Sequence, residues 1–425
     1  MFPIPDLQAS RAVFAVRLGA VCHNWRRIAW SSPRLWSSLI IDSSNAVVTD
    51  TRIELVKEWI DRSGCLLLSI AWHQPSLVIQ TGFVLLFNDN NAKSLIDIMN
   101  RHADRWESLN LHLPAGALRL FDASKASKLS SLRKLALHVP LEQPLTSTTF
   151  FDLTPPIVNL TFIGNWRWDI KVLDWKRVTH LTASLANTHD VLRILNEGQY
   201  LQECKLHICD PRLDLGPTSS YPIARSLTVL VIRFLGPGSM EFFINSVTLP
   251  ALKLLHIHIE EPGIILSVPA FVSFLTRSSP ALTKLALVCG GLTQDGFVPI
   301  ARLLPSLEAL SIGLDCEEDG NFRSFYLAWA RPNPEALLPS LVEFRWLGRT
   351  LFPLVLLPYY LGPISRNRRR PLKHVNIDCF LNSSTHTLPE ISKDLLAQLS
   401  HYRSFVQIQV NVQFDGITRN ILNIL

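Results

Sequence analysis

Two cysteines and a histidine with metal-binding chemistry lie close together at Cys204-x-x-His207-x-Cys209. A structural zinc site needs four thiolate or imidazole ligands that converge on one point. The surrounding residues, however, predict a β-strand beginning near Leu201, and successive side chains of a strand point to opposite faces. Cys204 then faces inward, His207 faces outward, and Cys209 follows the strand. We therefore expect no metal here, and no other pattern in the sequence predicts a cofactor.

Motifs of the common enzyme classes are missing from the sequence. It contains no G-x-G-x-x-G, G-x-x-x-x-G-K-[ST], G-x-S-x-G or H-E-x-x-H pattern. Cys289 precedes two glycines, but no base lies beside it in the sequence, so a buried thiol at a strand end is the expected state. The sequence predicts a protein that is not an enzyme.

A recurring sequence motif of the form L-x-x-L-x-L predicts the strands that position the cysteine and histidine side chains. Its copies lie 21 to 30 residues apart and begin at Trp106, Leu132, Ile157, Val178, Leu201, Leu227, Leu252, Leu282 and Leu307. Weaker copies begin at Leu341, Leu372 and Phe405. One repeat buries only about five apolar side chains at roughly 2 kcal/mol each, whereas ordering its backbone costs roughly 1–2 kcal/mol per residue. The repeats must therefore stack, each giving one strand to a parallel sheet.

The repeats resemble leucine-rich repeats, in which Asn or Cys usually occupies the ninth position. Here only Asn165 and Cys209 stand at that position. The resemblance implies an α/β fold over residues 50–425, namely a leucine-rich-repeat-like solenoid of parallel strands and short helices with a C-terminal cap. It also implies that the concave face of the sheet binds a protein.

The seventh position of the repeat lies on the outward side of each predicted strand and often holds a basic residue. These residues are His112, His138, His207, Arg233 and His258, and His256 shares the face of His258. Equivalent positions on adjacent parallel strands lie about 4.8 Å apart, so His207, Arg233 and His258 should form a line. Two interpretations are open: a solvated polar face, or a substrate-binding stripe on the concave face that responds to pH.

The N-terminal segment shows helical periodicity in place of the repeat. Apolar residues recur from Leu18 at spacings of three and four, which predicts an amphipathic helix. The apolar positions are Leu18, Val21, Cys22, Trp25, Ile28 and Ala29. Ser31-Ser32-Pro33 ends this helix, or starts a new turn with Pro33 as its first residue.

The phrase VCHNWRRIAWSSPRLWSSL, which begins at Val21, closely resembles the second half of an F-box. An F-box is a small helical module that docks on the Skp-type adaptor of a cullin ubiquitin ligase. The resemblance covers residues 1–45 and implies adaptor contacts at Leu18, Val21, Cys22, Trp25, Ile28, Pro33, Leu35 and Trp36. The family's opening helix, with its LPxE-like start, is absent before Phe2, so a partial F-box with weaker adaptor binding is expected. A plain cap over the first repeat is the alternative.

The net charge of +6 is concentrated in two short segments. Residues 366–373 carry five positive charges, and the first forty residues carry a net charge of +4, so the rest of the chain is net negative by three. No broad basic face is expected along the repeats, which argues against nucleic acid as a partner. The arginine run from Arg366 to Arg370 fits a nuclear import signal, an anion-binding loop or a solvated loop.

Composition predicts an ordered intracellular protein, either cytoplasmic or nuclear. Hydrophobic residues make up 48% of the chain, yet its longest apolar run, Leu351 to Leu361, is short and broken by two prolines, so no membrane span is expected. The seven cysteines are scattered and odd in number, which indicates reduced thiols. The N-terminus lacks the pattern of a secretory signal.

Two functions are compatible with these features. The first is the substrate-recognition subunit of a Skp–cullin–F-box type ubiquitin ligase, with the adaptor held by the N-terminal helices and an unknown target protein held by the solenoid. The second is a non-catalytic protein-binding scaffold that has lost adaptor binding. Co-purification with the adaptor separates the two.

Overall fold

The fold divides into two compact units, residues 1–186 and residues 187–425. The computed structural model describes residues 16–43, 48–74, 90–121, 131–139, 157–164, 175–209, 222–236, 238–260, 264–292, 296–314, 323–330, 337–349, 352–362, 371–381, 392–414 and 417–420. The run from Arg366 to Arg370 lies outside these ranges. Among the described residues, no helix has both the length and the apolar character needed to cross a bilayer.

The first unit is built on parallel strands that follow one another in chain order. Its described residues contain β1 Ser38–Asp42, β2 Leu68–His73, β3 Trp106–His112, β4 Lys134–His138, β5 Asn159–Ile163 and β6 His180–Ala186. Each strand pairs in parallel with the next. The inward leucines of the repeats stack in register, as shown by Leu109, Leu135 and Leu160 on β3, β4 and β5.

Helices of the first unit precede or connect these strands. They are α1 His23–Trp30, α2 Asp50–Arg62, α3 Asn90–Asn100 and α4 Ala115–Leu118. Residues 16–21 are also helical, and single 3-10 turns span Pro33–Leu35, Ala103–Arg105 and Trp175–Arg177. The Thr49 hydroxyl caps α2 by accepting from the Arg52 amide. Its buried face, Ile53, Val56 and Ile60, has the spacing of three and four that a helix requires.

The second unit repeats the same plan. Its described strands are β7 Glu203–Ile208, β8 Val229–Phe234, β9 Leu254–Ile259, β10 Ile265–Leu266, β11 Lys284–Cys289, β12 Gly291–Leu292, β13 Ala309–Leu314, β14 Glu343–Gly348, β15 His374–Leu381, β16 Gln407–Phe414 and β17 Ile417–Asn420. The main sheet has the order β7-β8-β9-β11-β13-β14-β15-β16 with parallel pairing throughout. β17 adds an antiparallel edge to β16, and the short β10 and β12 pair with each other.

Helices precede or connect most of the described strands of the second unit. These helices are α5 Thr188–Glu197, α6 Ser239–Ser246, α7 Val268–Ser278, α8 Val298–Arg302, α9 Arg323–Ala330, α10 Leu357–Leu361 and α11 Lys393–Tyr402. A 3-10 turn, Leu354–Leu356, precedes α10. Each helix contacts the next one along the chain, so the helices stack as the strands do.

Within each unit, the expected α/β arrangement of parallel strands in chain order is confirmed. Two local features differ from the sequence expectations. The first strand, β1, lies inside residues 1–45, where it pairs with β2. The helix expected from Leu18 to Ala29 is interrupted at Cys22, whose backbone is extended with φ −160° and ψ 172°. The described part of the N-terminal segment, residues 16–43, therefore consists of two short helical stretches, a 3-10 turn and a strand.

Candidate functional site

Three histidines form a row on the outward face of the first unit. His73, His112 and His138 are aligned on β2, β3 and β4. The Nδ1 atoms of His73 and His112 are 2.8 Å apart, so one ring donates and the other accepts. Their ring centroids are 4.3 Å apart, and those of His112 and His138 are 5.6 Å apart. His112 and His138, which were predicted to share this face, therefore lie side by side, and His73, which was not predicted, lies next to His112.

Burial and nearby histidines favour the neutral state of His112 and His138. Burial, and then the charges of the neighbouring His112 and His73, together lower the pKa of His138 to about 4. The pKa of His112 is also lowered, first by burial and then by the charge of His73. At neutral pH the imidazoles of His112 and His138 therefore act as hydrogen-bonding groups and not as cations.

This row should make the stability of the protein depend on pH. Because the pKa of His138 falls from 6.5 in the unfolded chain to about 4 in the folded protein, the unfolded chain binds the proton more tightly. Stability is then lost as the pH drops from 6.5 towards 4, by about 2 kcal/mol. Thermal unfolding of the wild type and of His138→Gln across this range should show a flatter pH profile for the variant.

The control for the pH experiment is His401→Gln, which removes an exposed histidine of α11. This variant should keep the pH profile of the wild type. If His138→Gln and the wild type lose stability equally between these pH values, the imidazole row does not carry the effect.

The second unit forms the expected line of basic residues. Register places Arg233 between His207 on β7 and His258 on β9. The Arg233 guanidinium donates to Glu260 at 3.0 Å, and on the same face Lys205 pairs with Glu203 at 2.6 Å. The line is therefore partly neutralised by carboxylates that the sequence expectation did not include.

His256 lies on β9, two residues before His258, and faces the same side of the sheet. Burial lowers the pKa of His256, and the charges of His258 and Arg233 lower it further. Burial likewise lowers the pKa of His207, followed by the charge of Arg233. Both imidazoles can thus offer a neutral N–H donor or nitrogen acceptor to a partner at pH 7.

Cys204 and His207 lie on opposite faces of β7. Cys204 is fully buried in the core, and burial raises the pKa of its thiol well above the usual range, whereas His207 lies on the outward face of the same strand. No group of three or more potential metal ligands occurs among the described residues. Cys204 is a packing residue of the strand.

A carboxylate surrounded by amides lies further along the outward face. Asp378 on β15 accepts from Asn411 Nδ2 at 2.8 Å, from Asn376 Nδ2 at 3.3 Å and from an Arg345 guanidinium nitrogen at 3.4 Å. Asn411 in turn accepts from Asn420 at 3.3 Å. Sequence reasoning missed this cluster, although Asp378 and Asn411 occupy the seventh position of the weaker repeats at Leu372 and Phe405. The seventh position of these two weaker copies is the sequence signal for both residues.

The N-terminal helices expose several apolar side chains. Val21 is 64% exposed, Trp25 is 51% exposed and Ile28 is 60% exposed, and all three lie within eight residues. Cys22 and Pro33 are also exposed, while Leu18 and Leu35 are half-buried. Most of the predicted adaptor contacts are therefore accessible on the surface.

Trp36 differs from the other residues of that set because it is buried, with 2% exposure. Its indole Nε1 donates to the Ala29 carbonyl at 2.8 Å. The Trp36 ring meets Trp59 of α2 edge-on at 4.7 Å, and the Arg62 guanidinium lies 4.7 Å from its centroid. Trp36 thus anchors the N-terminal helices to α2 and offers no surface to a partner.

A basic groove lies on the opposite side of α1 from Trp25 and Ile28. It has a volume of about 410 Å³ and is lined by His23, Arg26, Arg27, Trp30 and Ser31. The guanidinium groups of Arg26 and Arg62 lie 5.4 Å and 4.9 Å from the Trp30 ring centroid, which fixes the ring by cation–π contact. The helix therefore presents an apolar face and a basic face.

No model of a known protein family matches the chain, and no curated protein matches it.

Proposed function

We propose that this chain is the substrate-recognition subunit of a Skp–cullin–F-box type ubiquitin ligase. The N-terminal helices bind the Skp-type adaptor, and leucine-rich-repeat-like units hold a target protein on the outward face of their strands. The protein performs no chemistry itself. It brings lysines of the target near the ubiquitin that the ligase transfers.

The observation that carries this proposal is the exposed apolar face of the N-terminal helices. A solvent-facing Val, Trp and Ile within eight residues is unusual in the absence of a partner. The arrangement of these residues agrees with the F-box-like phrase that begins at Val21. Trp36 and Ala29, at 2% and 1% exposure, hold the segment on the first unit, so Trp25 and Ile28 remain available for docking.

Trp25→Ala should weaken binding of a purified Skp-type adaptor to the full chain by about tenfold or more. A half-exposed tryptophan at the centre of a docking face is a typical anchor of an interface. Isothermal titration with wild type and variant measures this loss. The melting temperature should not change, because Trp25 is not part of the core.

The matched control is Tyr200→Ala, which removes an aromatic side chain that is 60% exposed in the second unit. It should leave adaptor affinity unchanged. Absence of adaptor binding by the wild type would rule out the ligase function and favour the protein-binding scaffold. Equal losses for both variants would show that the effect is not specific to the N-terminal face.

A further inference from the structure

Small side chains line two adjacent strands in the middle of the second unit's outward face. β11 presents Ala286 and Val288, and β13 presents Ser311 and Gly313. The row before them holds the exposed Lys284 on β11, aligned with Ala309 on β13. Gly313 lies directly against Val288, since a Cβ atom built on Gly313 would meet the Val288 side chain at 3.0 to 3.4 Å. Ala286, Val288, Ser311 and Gly313 form a low floor, with Lys284 at one end of it.

Longer side chains stand on both sides of this floor. His256 on β9 is aligned with Ala286, and Arg345 on β14 is aligned with Ser311. Three strand spacings separate His256 from Arg345, which corresponds to about 14 Å. One extended polypeptide fits between them. We call the floor, with His256 and His258 on one side and Arg345 on the other, the trough.

The wall on β14 is held firmly from the core side. Phe344 packs at 4.9 Å from Trp329, and Trp346 packs edge-on at 5.6 Å from Tyr326. Both Phe344 and Trp346 flank Arg345 in the sequence and point inward. The backbone position of Arg345 is therefore fixed by buried aromatic packing.

The Arg345 guanidinium remains accessible on this fixed backbone. Its side chain is 57% exposed, and its contact with Asp378 is long at 3.4 Å. Asp378 already accepts a shorter hydrogen bond, 2.8 Å, from Asn411. Arg345 can thus bind a second carboxylate with its remaining N–H groups.

The chemistry of the trough changes from one row of side chains to the next. The row through Ala286 and Ser311 ends in His256 and Arg345, which can both donate hydrogen bonds to a carboxylate. The next row passes through Val288 and Gly313 and reaches Leu347, which suits an apolar side chain. Rows on a strand repeat every second residue, as do the side chains on one face of an extended ligand.

We propose that the trough binds an extended segment of a partner protein in which an acidic residue lies two positions from an apolar residue. This inference rests on the proposed function, in which the outward face holds the target, and it adds the chemical class of the target segment. Charge complementarity with Arg345 selects the acidic residue, and the low floor admits the backbone.

The test uses fluorescein-labelled pools of random dodecapeptides with Asp-x-Leu or Leu-x-Asp fixed at the centre. Matched pools carry Asn in place of Asp. Fluorescence anisotropy with the full chain should show about tenfold tighter binding of the Asp pools. Arg345→Gln should abolish most of that preference, and its exposed position leaves folding intact.

Ala286→Trp should weaken the Asp pools by about tenfold or more, because the indole fills the floor. Ala136→Trp is the matched control, since Ala136 on β4 lies in the same Lys-Leu-Ala-Leu sequence, is half-buried like Ala286 and belongs to the first unit. It should bind the Asp pools as the wild type does. Melting temperatures of both variants confirm that they fold.

Equal affinity of the Asp and Asn pools, no binding of either pool, or equal losses for Ala286→Trp and Ala136→Trp would each overturn the proposal. Adaptor binding, measured on the same samples, separates this failure from failure of the proposed function. If the chain binds the adaptor but not the peptides, the trough proposal fails and the proposed ligase function stands. A chain that binds the peptides but not the adaptor supports the trough and contradicts the ligase function.

Discussion

Leu285→Asp should lower the stability of the second unit by at least about 4 kcal/mol. Leu285 on β11 is 2% exposed and is stacked between Leu255 on β9 and Leu310 on β13. The substitution removes about 2 kcal/mol of apolar burial and places a carboxylate where solvation is lost. For a unit of this size, the melting temperature should fall by about 10 °C. Differential scanning calorimetry measures the shift.

The neighbouring substitution Ala286→Asp isolates the effect of facing the core. It adds the same charge one residue later, but Ala286 is half-buried on the outward face. Its stability should stay within about 1 kcal/mol of the wild type. If both variants were equally destabilised, the assignment of inward and outward faces on β11 would be wrong.

The line of His207, Arg233 and His258 could be predicted because the repeat fixes the register. Each clear copy places leucine or another apolar residue at the same inward positions, and a slip of one residue would turn all of them towards solvent. Once these inward positions are known, the face of each remaining residue on the strand is known too. The same logic placed Cys204 in the core.

His73 was not predicted, because the repeat that contains it departs from the leucine pattern. The copy that begins at Leu67 has Ile70 and Trp72 in the inward positions, and a tryptophan in a leucine position weakens the pattern. Side-chain contacts such as the 2.8 Å approach of His73 and His112 were beyond prediction for another reason. They depend on rotamers set by packing between residues far apart in sequence.

The N-terminal face shows a further limit of periodicity. Val21, Trp25 and Trp36 are all apolar, and spacing alone cannot tell which of them the rest of the fold covers. The answer lies in α2, whose Trp59 and Arg62 enclose Trp36. No element of the described chain encloses Trp25 in the same way, since its side chain is 51% exposed. Only the tertiary structure shows which of these residues is the buried anchor and which are exposed.

Gly164→Ala should destabilise the first unit by about 3 kcal/mol. Gly164 follows β5 with φ +128°, a conformation that costs an L-residue about 1–3 kcal/mol. A Cβ atom there would also overlap the Val139 carbonyl oxygen and meet the Val139 carbonyl carbon at 3.0 Å. Val139 cannot retreat freely, because its amide donates to the Ile163 carbonyl at 2.8 Å.

Gly64→Ala separates the strained backbone from the steric overlap. Gly64 also has a positive φ, +59°, but a Cβ atom there meets nothing within 4 Å, so this variant should lose only about 1 kcal/mol. Gly291→Ala, at a position with neither constraint, should be nearly neutral. Thermal unfolding of the three variants measures this ranking. If Gly164→Ala lost no more stability than Gly64→Ala, the close approach of the β4 and β5 ends would not be tight enough to exclude a methyl group.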